Sequence, residues 1–303
     1  MKLSGLIDLA KNGPIQTIAV AHAEDIEVLK AVKHATEHKI ARFILFGNHS
    51  KLQLMLEQLS LSISSDWVDV IHSETTEDSA EQAVKSVRNQ NAEVLMKGNL
   101  PTSTLLNAVL NKEYGLRTKY LLSHVAVFEV KGYDRLLFVT DAAMNLKPDL
   151  PELEQIVTNA VKVARDLGVD SPKVAALAAV ETVNPKMEAT IHAASLAQMN
   201  RRGQIKDCLI DGPLAIDNAV SALSAEHKQL TGDVPGNADI LLVPTIEAGN
   251  ILYKSLIYFA GAKVSAIIAG ARAPIVLTSR SDSFESKLNS IALALCTKKD
   301  ESF

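Results

Sequence analysis

Short apolar runs of strand length alternate with longer stretches of helical spacing almost from end to end, and this alternation limits the chain to an α/β fold with mainly parallel sheets. Thr17–Ala21, Ala41–Phe46, Val68–Ile71 and Glu93–Met96 read as strands. A helix is expected from about Glu24, and another carries Leu52, Met55, Leu56 and Leu59 on one face. A more polar helix is expected from about Glu77, and Leu3, Leu6, Ile7 and Ala10 predict a short amphipathic helix at the start. Leu122–Val130 and Arg135–Val139, joined by Lys131-Gly132-Tyr133-Asp134, depart from the rhythm and predict a β-hairpin. Asp141–Pro151 is the expected crossing between two lobes. A helical stripe follows from Leu153 to Leu167, stopped by Gly168 and Pro172. Val174–Val180, Cys208–Ile210, Ile240–Val243, Val264–Ile268 and Ile275–Leu277 then read as strands covered on both faces.

Composition narrows the function classes. Aromatic residues are 4% of the chain against 47% apolar residues in all, so Ala, Val, Leu and Ile must build the core. A net charge of −4 and the lack of a basic run argue against nucleic acid as a partner. Ile240–Leu277 is interrupted by Glu247, Lys254, Lys263 and Arg272, and no uncharged span reaches bilayer length. Met1–Pro14 lacks a signal-peptide pattern, so the expected location is cytoplasmic. Cys208 and Cys296 lack CxxC or CxxH neighbours and are read as reduced thiols. His34 and His38 are read as a solvated helix face rather than a metal site, and His124 as a core histidine. GxxxxGK[ST], GxGxxG after the first strand (which runs into His22-Ala23-Glu24-Asp25) and GxSxG are all absent.

In parallel sheets, ligands bind beyond the carboxyl ends of strands. After Met96 comes Lys97-Gly98-Asn99-Leu100-Pro101-Thr102-Ser103-Thr104, which offers a cation, a glycine and a hydroxyl-rich helix start. Two readings stand for it, a phosphate cradle or a capped helix beginning at Pro101. Glu181–Pro185, Asp211–Asp217, Pro244–Asn250 and Thr278–Ser283 are similar polar segments after strands. Singly each suits a helix cap; together they favour a polyanionic ligand.

These motifs, from Ala179 to Met187, Asp211 to Asp217, Asp233 to Pro244, Glu247 to Lys254 and Ser279-Arg280, resemble the phosphate acyltransferases. Leu95–Gly98, Leu116–Thr118 and Leu122–Phe128 are most similar to the phosphate butyryltransferase branch. The resemblance covers nearly the whole chain. It implies two three-layer α/β/α lobes, isocitrate dehydrogenase-like, with the active site in the cleft between them. Residues 1–140 plus 271–303 would form the first lobe, and 141–270 the second, which would carry the subunit interface. Arginines expected near Asn107 and Tyr258 from the acetyl branch are not there.

The implied reaction converts a short-chain, butyryl-like acyl-CoA and phosphate to acyl phosphate and CoA, as in short-chain fatty acid metabolism. CoA is a substrate, with no permanently bound cofactor, and no metal is required because phosphate is already a good leaving group. A free thiol has a pKa near ~8.5, so a base must take its proton, and Asp282 or Glu285 is preferred to His124. Ser279 and Arg280 would stabilise the carbonyl oxygen. Lys97, Gly98, Thr102, Ser103, Arg117, Asn250, Lys254 and Arg272 would hold phosphate or CoA. No acyl-enzyme is expected. The expected assembly is a homo-oligomer, a dimer or a multiple of dimers. The competing readings are a phosphate acetyltransferase, an isocitrate-type dehydrogenase, and a non-catalytic sensor of acyl-CoA or acyl phosphate.

Overall fold

A computed structural model of the 303-residue chain describes residues 2–61, 66–278 and 282–297. The elements run α1 (Leu3–Asn12), β1 (Gln16–Ala21), α2 (Ile26–Glu37), β2 (Ala41–Gly47), α3 (His49–Gln58), β3 (Val68–His72), α4 (Thr76–Arg88), β4 (Val94–Lys97) and α5 (Thr102–Val109). They continue with β5 (Ser123–Glu129), β6 (Leu136–Thr140), α6 (Leu150–Asp166), β7 (Lys173–Leu177), α7 (Glu188–Arg201), β8 (Leu209–Leu214), α8 (Ile216–Val220) and α9 (Ala222–His227). The last are β9 (Ile240–Leu242), α10 (Ile246–Tyr258), β10 (Lys263–Ala269), β11 (Ile275–Val276) and α11 (Phe284–Cys296).

The chain divides into two compact units. One joins Leu3–Tyr120 to the C-terminal segment from Ser265 on, and the other is Leu121–Val264. In the discontinuous unit the strand order is β3-β2-β1-β4-β11-β10. All pairs are parallel except β10 with β11. β1 runs to β2 and β3 on one side, and α4 then carries the chain back across to β4 on the other. Right-handed crossovers therefore put α4 on the face opposite α2. The packing agrees: α2 and α1 both pack on α11, while α4 packs on α5. Gln16 ties β1 to this C-terminal helix by donating from Nε2 to the Leu295 carbonyl at 2.9 Å. The core is aliphatic, with Ile18, Val20, Leu29, Leu45 and Val94 fully buried.

In the Leu121–Val264 unit the order is β5-β6-β9-β7-β8, parallel except for the β5–β6 hairpin. The sequence put this hairpin in the first lobe and the crossing at Asp141–Pro151. The structure instead groups it with the second unit, because β6 pairs with β9 through Phe138↔Ile240 and Thr140↔Leu242. The chain thus changes unit at Tyr120/Leu121 and again at Val264/Ser265. Asp141 is buried, and its carboxylate accepts from the N–H groups of Ala143, Met144 and His124 and from Asn145 Nδ2. β8 extends beyond the expected Ile210 through Asp211-Gly212-Pro213 to Leu214. Proline is tolerated there because β8 is the outermost strand of its unit and its missing N–H costs no ladder bond.

Candidate active site

The crossing from β3 to β4 makes the gap between β1 and β4 the topological switch point of the discontinuous unit, where the strand ends leave room for a ligand. The loops after these strands are zipped together. Gly98 N–H donates to the Ala21 carbonyl at 2.8 Å and Asn99 N–H to the His22 carbonyl at 2.7 Å. Glycine is required at 98 because a Cβ would lie 2.2 Å from the His22 oxygen and 2.6 Å from that of Ala21. Asn99 Nδ2 also donates to the Glu24 carbonyl. α5 begins three residues further on, with Pro101 before it and no side chain capping its first turn. Thr102 and Ser103 stand exposed at that turn. An uncapped helix start with two hydroxyls offers donors to an oxyanion.

Lys97 is a buried side chain beneath this loop. It is 5% exposed, and its ammonium donates to the carbonyls of Gly98 at 3.0 Å and Leu100 at 3.2 Å. It braces the loop from below, turning carbonyl oxygens inward, and a buried ammonium needs such acceptors. In the loop after β1, the Glu24 carboxylate accepts from Asn48 N–H at 2.8 Å and from Lys51 Nζ at 3.1 Å, with His22 Nδ1 at 3.8 Å. Burial works to raise the Glu24 pKa, but the Asn48 and Lys51 hydrogen bonds and the nearby His22 outweigh it and hold the carboxyl below its usual range.

β11 lies next to β4 and parallel to it, so its carboxyl end opens on the same edge. Thr278 there is buried, and its hydroxyl has no hydrogen-bond partner among the described residues. Ser279 and Arg280 lie outside the described residues. Asp282 is half-buried, with its carbonyl accepting from Lys287 Nζ at 2.6 Å, and Glu285 is exposed in the first turn of α11. Arg117 and Arg272 are brought to each other, but at the opposite edge. Arg272 precedes β11, its N–H donates to the Leu116 carbonyl at 3.0 Å, and its Nε reaches the Arg117 carbonyl at 3.4 Å.

In the Leu121–Val264 unit, Asn250 and Lys254 stand exposed, one turn apart on α10. Gly249 lets this helix approach Asp141, whose oxygen would lie 2.6 Å from an added Cβ. His124 is buried, with its ring edge-on to Tyr253 at 5.8 Å. Asn184 exchanges hydrogen bonds with Thr190, which makes the Glu181–Pro185 segment a brace for the start of α7. A small pocket of about 50 Å³, open to solvent, lies at the carboxyl ends of β7 and β9, between Leu177, Leu196 and Val243. Lys147 and Glu188, which also line it, pair at 2.5 Å. Among the described residues no group of three or more His, Cys, Asp or Glu side chains is placed to hold a metal, and no helix is long and apolar enough to cross a membrane.

The family model described as "Phosphate acetyl/butaryl transferase" matches residues 4–85 and 71–295. The chain belongs to that family. A Bacillus subtilis (strain 168) relative named "Probable phosphate butyryltransferase" is 61% identical over 99% of each chain. The phosphate butyryltransferase of Clostridium beijerinckii is 48% identical over 95% of each. Among solved structures, a branched-chain phosphotransacylase from Enterococcus faecalis V583 matches with a TM-score of 0.81 and 36% identity, covering 93% of this chain and 99% of that one.

Three features of this family member escaped the sequence reading. Glu24 and His22 belong to a loop first noted only for lacking glycines. Lys287 is 2% exposed on α11. The signal for it was present, since it falls on the apolar stripe with Leu288, Ile291 and Leu295.

Proposed function

We propose that this protein exchanges coenzyme A for phosphate on a short, butyryl-type acyl group. The observation that carries this is 61% identity over essentially the full length of the Bacillus subtilis relative, with the Clostridium beijerinckii phosphate butyryltransferase next to it at 48%. In the direction of CoA acylation, a base takes the thiol proton and the thiolate attacks the acyl phosphate carbonyl. The C–S bond forms, the bond from carbon to the phosphate oxygen breaks, and phosphate leaves with its electron pair. Asp282 or Glu285 serves as the base, and Ser279 and Arg280 meet the charge that builds on the carbonyl oxygen. Thr102 and Ser103 hold phosphate with backbone N–H groups and hydroxyls, in keeping with the uncapped start of α5, and Gly98 lets their loop close against the end of β1. Lys97 acts by supporting that loop, which fits its buried ammonium.

Asn250 and Lys254 are candidates for the phosphates of coenzyme A; Arg117 and Arg272, away from the switch point, are weaker ones. CoA enters and leaves as substrate, with no resident cofactor. The acyl group passes directly from one partner to the other without an acyl-enzyme. Burial pushes the Cys208 and Cys296 thiols to about 11, which ill suits them as nucleophiles near neutral pH. The working location is the cytoplasm, and the assembly a homo-oligomer formed through the unit that carries α10. The exposed Ile251 and Phe259 there are large apolar side chains with nothing covering them among the described residues.

The test follows thiol released when protein meets phosphate and a panel of acetyl-, butyryl-, isobutyryl- and isovaleryl-CoA. Phosphate-dependent release, fastest with four-carbon chains, is expected, with a loss of roughly 10²-fold or more in Arg280→Ala. Fastest release with isovaleryl-CoA would move the assignment toward the branched substrates named for the Enterococcus protein. Binding without release would make the protein a sensor.

A further inference from the structure

The winding also reverses within the Leu121–Val264 unit. The chain leaves β7 outward to β8 and then returns past β7 to β9, so the boundary between β7 and β9 is a second place where strand ends leave room for a ligand. The small pocket at the carboxyl ends of these strands lies there, and every residue that lines it belongs to this unit. Its floor is Leu177 at the end of β7 with Leu242 and Val243 at the end of β9, and Leu196 of α7 closes one side. All four are buried. Ala189, half-buried near the start of α7, lines the pocket with no more than a methyl group.

Size and polarity together select an occupant. One water-sized group needs about 10–15 Å³, so a pocket of about 50 Å³ takes roughly three to five, and a methylene is close to that size. An acetyl group leaves most of this space unfilled, and a chain of seven carbons past its carbonyl overruns it. The polar side chains stand at the solvent side, where Lys147 and Glu188 are both exposed and pair at 2.5 Å. The Lys147 hydrogen bond holds the Glu188 carboxyl below its usual range, so it keeps its negative charge near neutral pH. A phosphate would meet that charge. The single carbonyl of an acyl group needs only a donor, and the Thr245 hydroxyl, which makes no capping bond at the start of α10, is one.

We propose that this pocket binds a short aliphatic acyl chain, roughly three to five carbons past its carbonyl. The chain arrives either as the acyl group of an acyl-CoA, which rests on the acyl-transfer reading above, or as the free acid, which does not. Glu188 at the mouth disfavours the charged head of the free acid and so favours the first source.

The test follows the methyl signals of Leu196 and Val243 by nuclear magnetic resonance during titration with acetate, propionate, butyrate, valerate and octanoate. Affinity is expected to rise about fourfold per added methylene as far as valerate and to fall at octanoate. Ala189→Leu narrows the pocket and moves the optimum to shorter chains, whereas Leu177→Ala widens it and moves the optimum to longer ones. The thiol-release assay then separates the sources. A KM for butyryl-CoA raised about tenfold or more in Ala189→Leu, with that for acetyl-CoA changed less than about twofold, assigns the pocket to the substrate's acyl group. Butyrate shifts that butyryl-CoA does not reverse, with the preference among acyl-CoAs unchanged in Ala189→Leu, assign it to the free acid. Pocket methyls that respond to none of these acids or to butyryl-CoA, or an optimum that moves in neither variant, would overturn the proposal. If Leu177→Ala does not fold, Ala189→Leu decides alone, since its position is half-buried. Methyl shifts in a wild-type protein with no phosphate-dependent release would leave the pocket standing and remove the acyl-transfer reading instead.

Discussion

Cys208 and Cys296 are free thiols whose reactivity is set by their surroundings. Burial pushes both to about 11, with the nearby Asp207 adding to the effect at Cys208. A native-state pKa above the unfolded one means that unfolding releases protons between roughly pH 9 and 11, so stability falls as pH rises through that window. Two outcomes are expected. Ellman's reagent titrates both thiols in urea but reacts slowly with the native protein at pH 7.5. The urea midpoint drops from pH 9 to 11, and drops less in Cys208→Ala/Cys296→Ala. The sequence was legible at these positions because an isolated cysteine among apolar neighbours has few alternatives. It was less legible for Lys97 and Lys287. Residue type gives a charge, whereas only packing says whether the charge faces a ligand or the protein's own carbonyls. Gly98 is the intermediate case: its place after a strand suggested close approach, but the partner turned out to be the His22 backbone.

Helices and strands were read well wherever a local signal was complete. α6 is one such element. Asp149 accepts from Glu152 N–H at 2.9 Å while the Glu152 carboxylate accepts from Asp149 N–H at 2.9 Å, a reciprocal cap next to Pro151. The stripe from Leu153 to Ala164 then buries one face. Asp149→Ala is expected to destabilise by about 1 kcal/mol, read as a lower urea midpoint than that of the wild type. Elements were misjudged where pairing rather than composition decides their limits. β8 continues through Gly212-Pro213 because it lies at the edge of its unit, and β7 stops at Leu177 although apolar residues run on to Val180. The β5–β6 hairpin was recognised from its turn, but its allegiance depends on β9, a hundred residues later in the chain, and no local pattern carries that information.

On the scale of the whole molecule, α10 stands out because Gly249 is the residue it buries, while Ile251 is 67% and Phe259, just beyond its end, 91% exposed. Side chains of this size on one helix are expected to be covered by a second copy of the chain. Ile251→Glu/Phe259→Glu is therefore expected to shift the mass measured by light scattering toward that of one chain, with the far-ultraviolet circular dichroism unchanged. An unshifted mass would place the interface elsewhere.

The discontinuous unit also sets an order of events on the ribosome. β11 is inserted between β4 and β10, and α11 packs against both α1 and α2, so the segment from Ser265 on completes a unit begun by Leu3–Tyr120. A nascent chain that has emerged as far as Val264 holds every residue of the Leu121–Val264 unit, yet β4 still lacks a neighbour on one side. Leu3–Tyr120, made before the Leu121–Val264 unit, thus finish folding after it, and they wait with a sheet edge open to chaperones or to another unfinished chain.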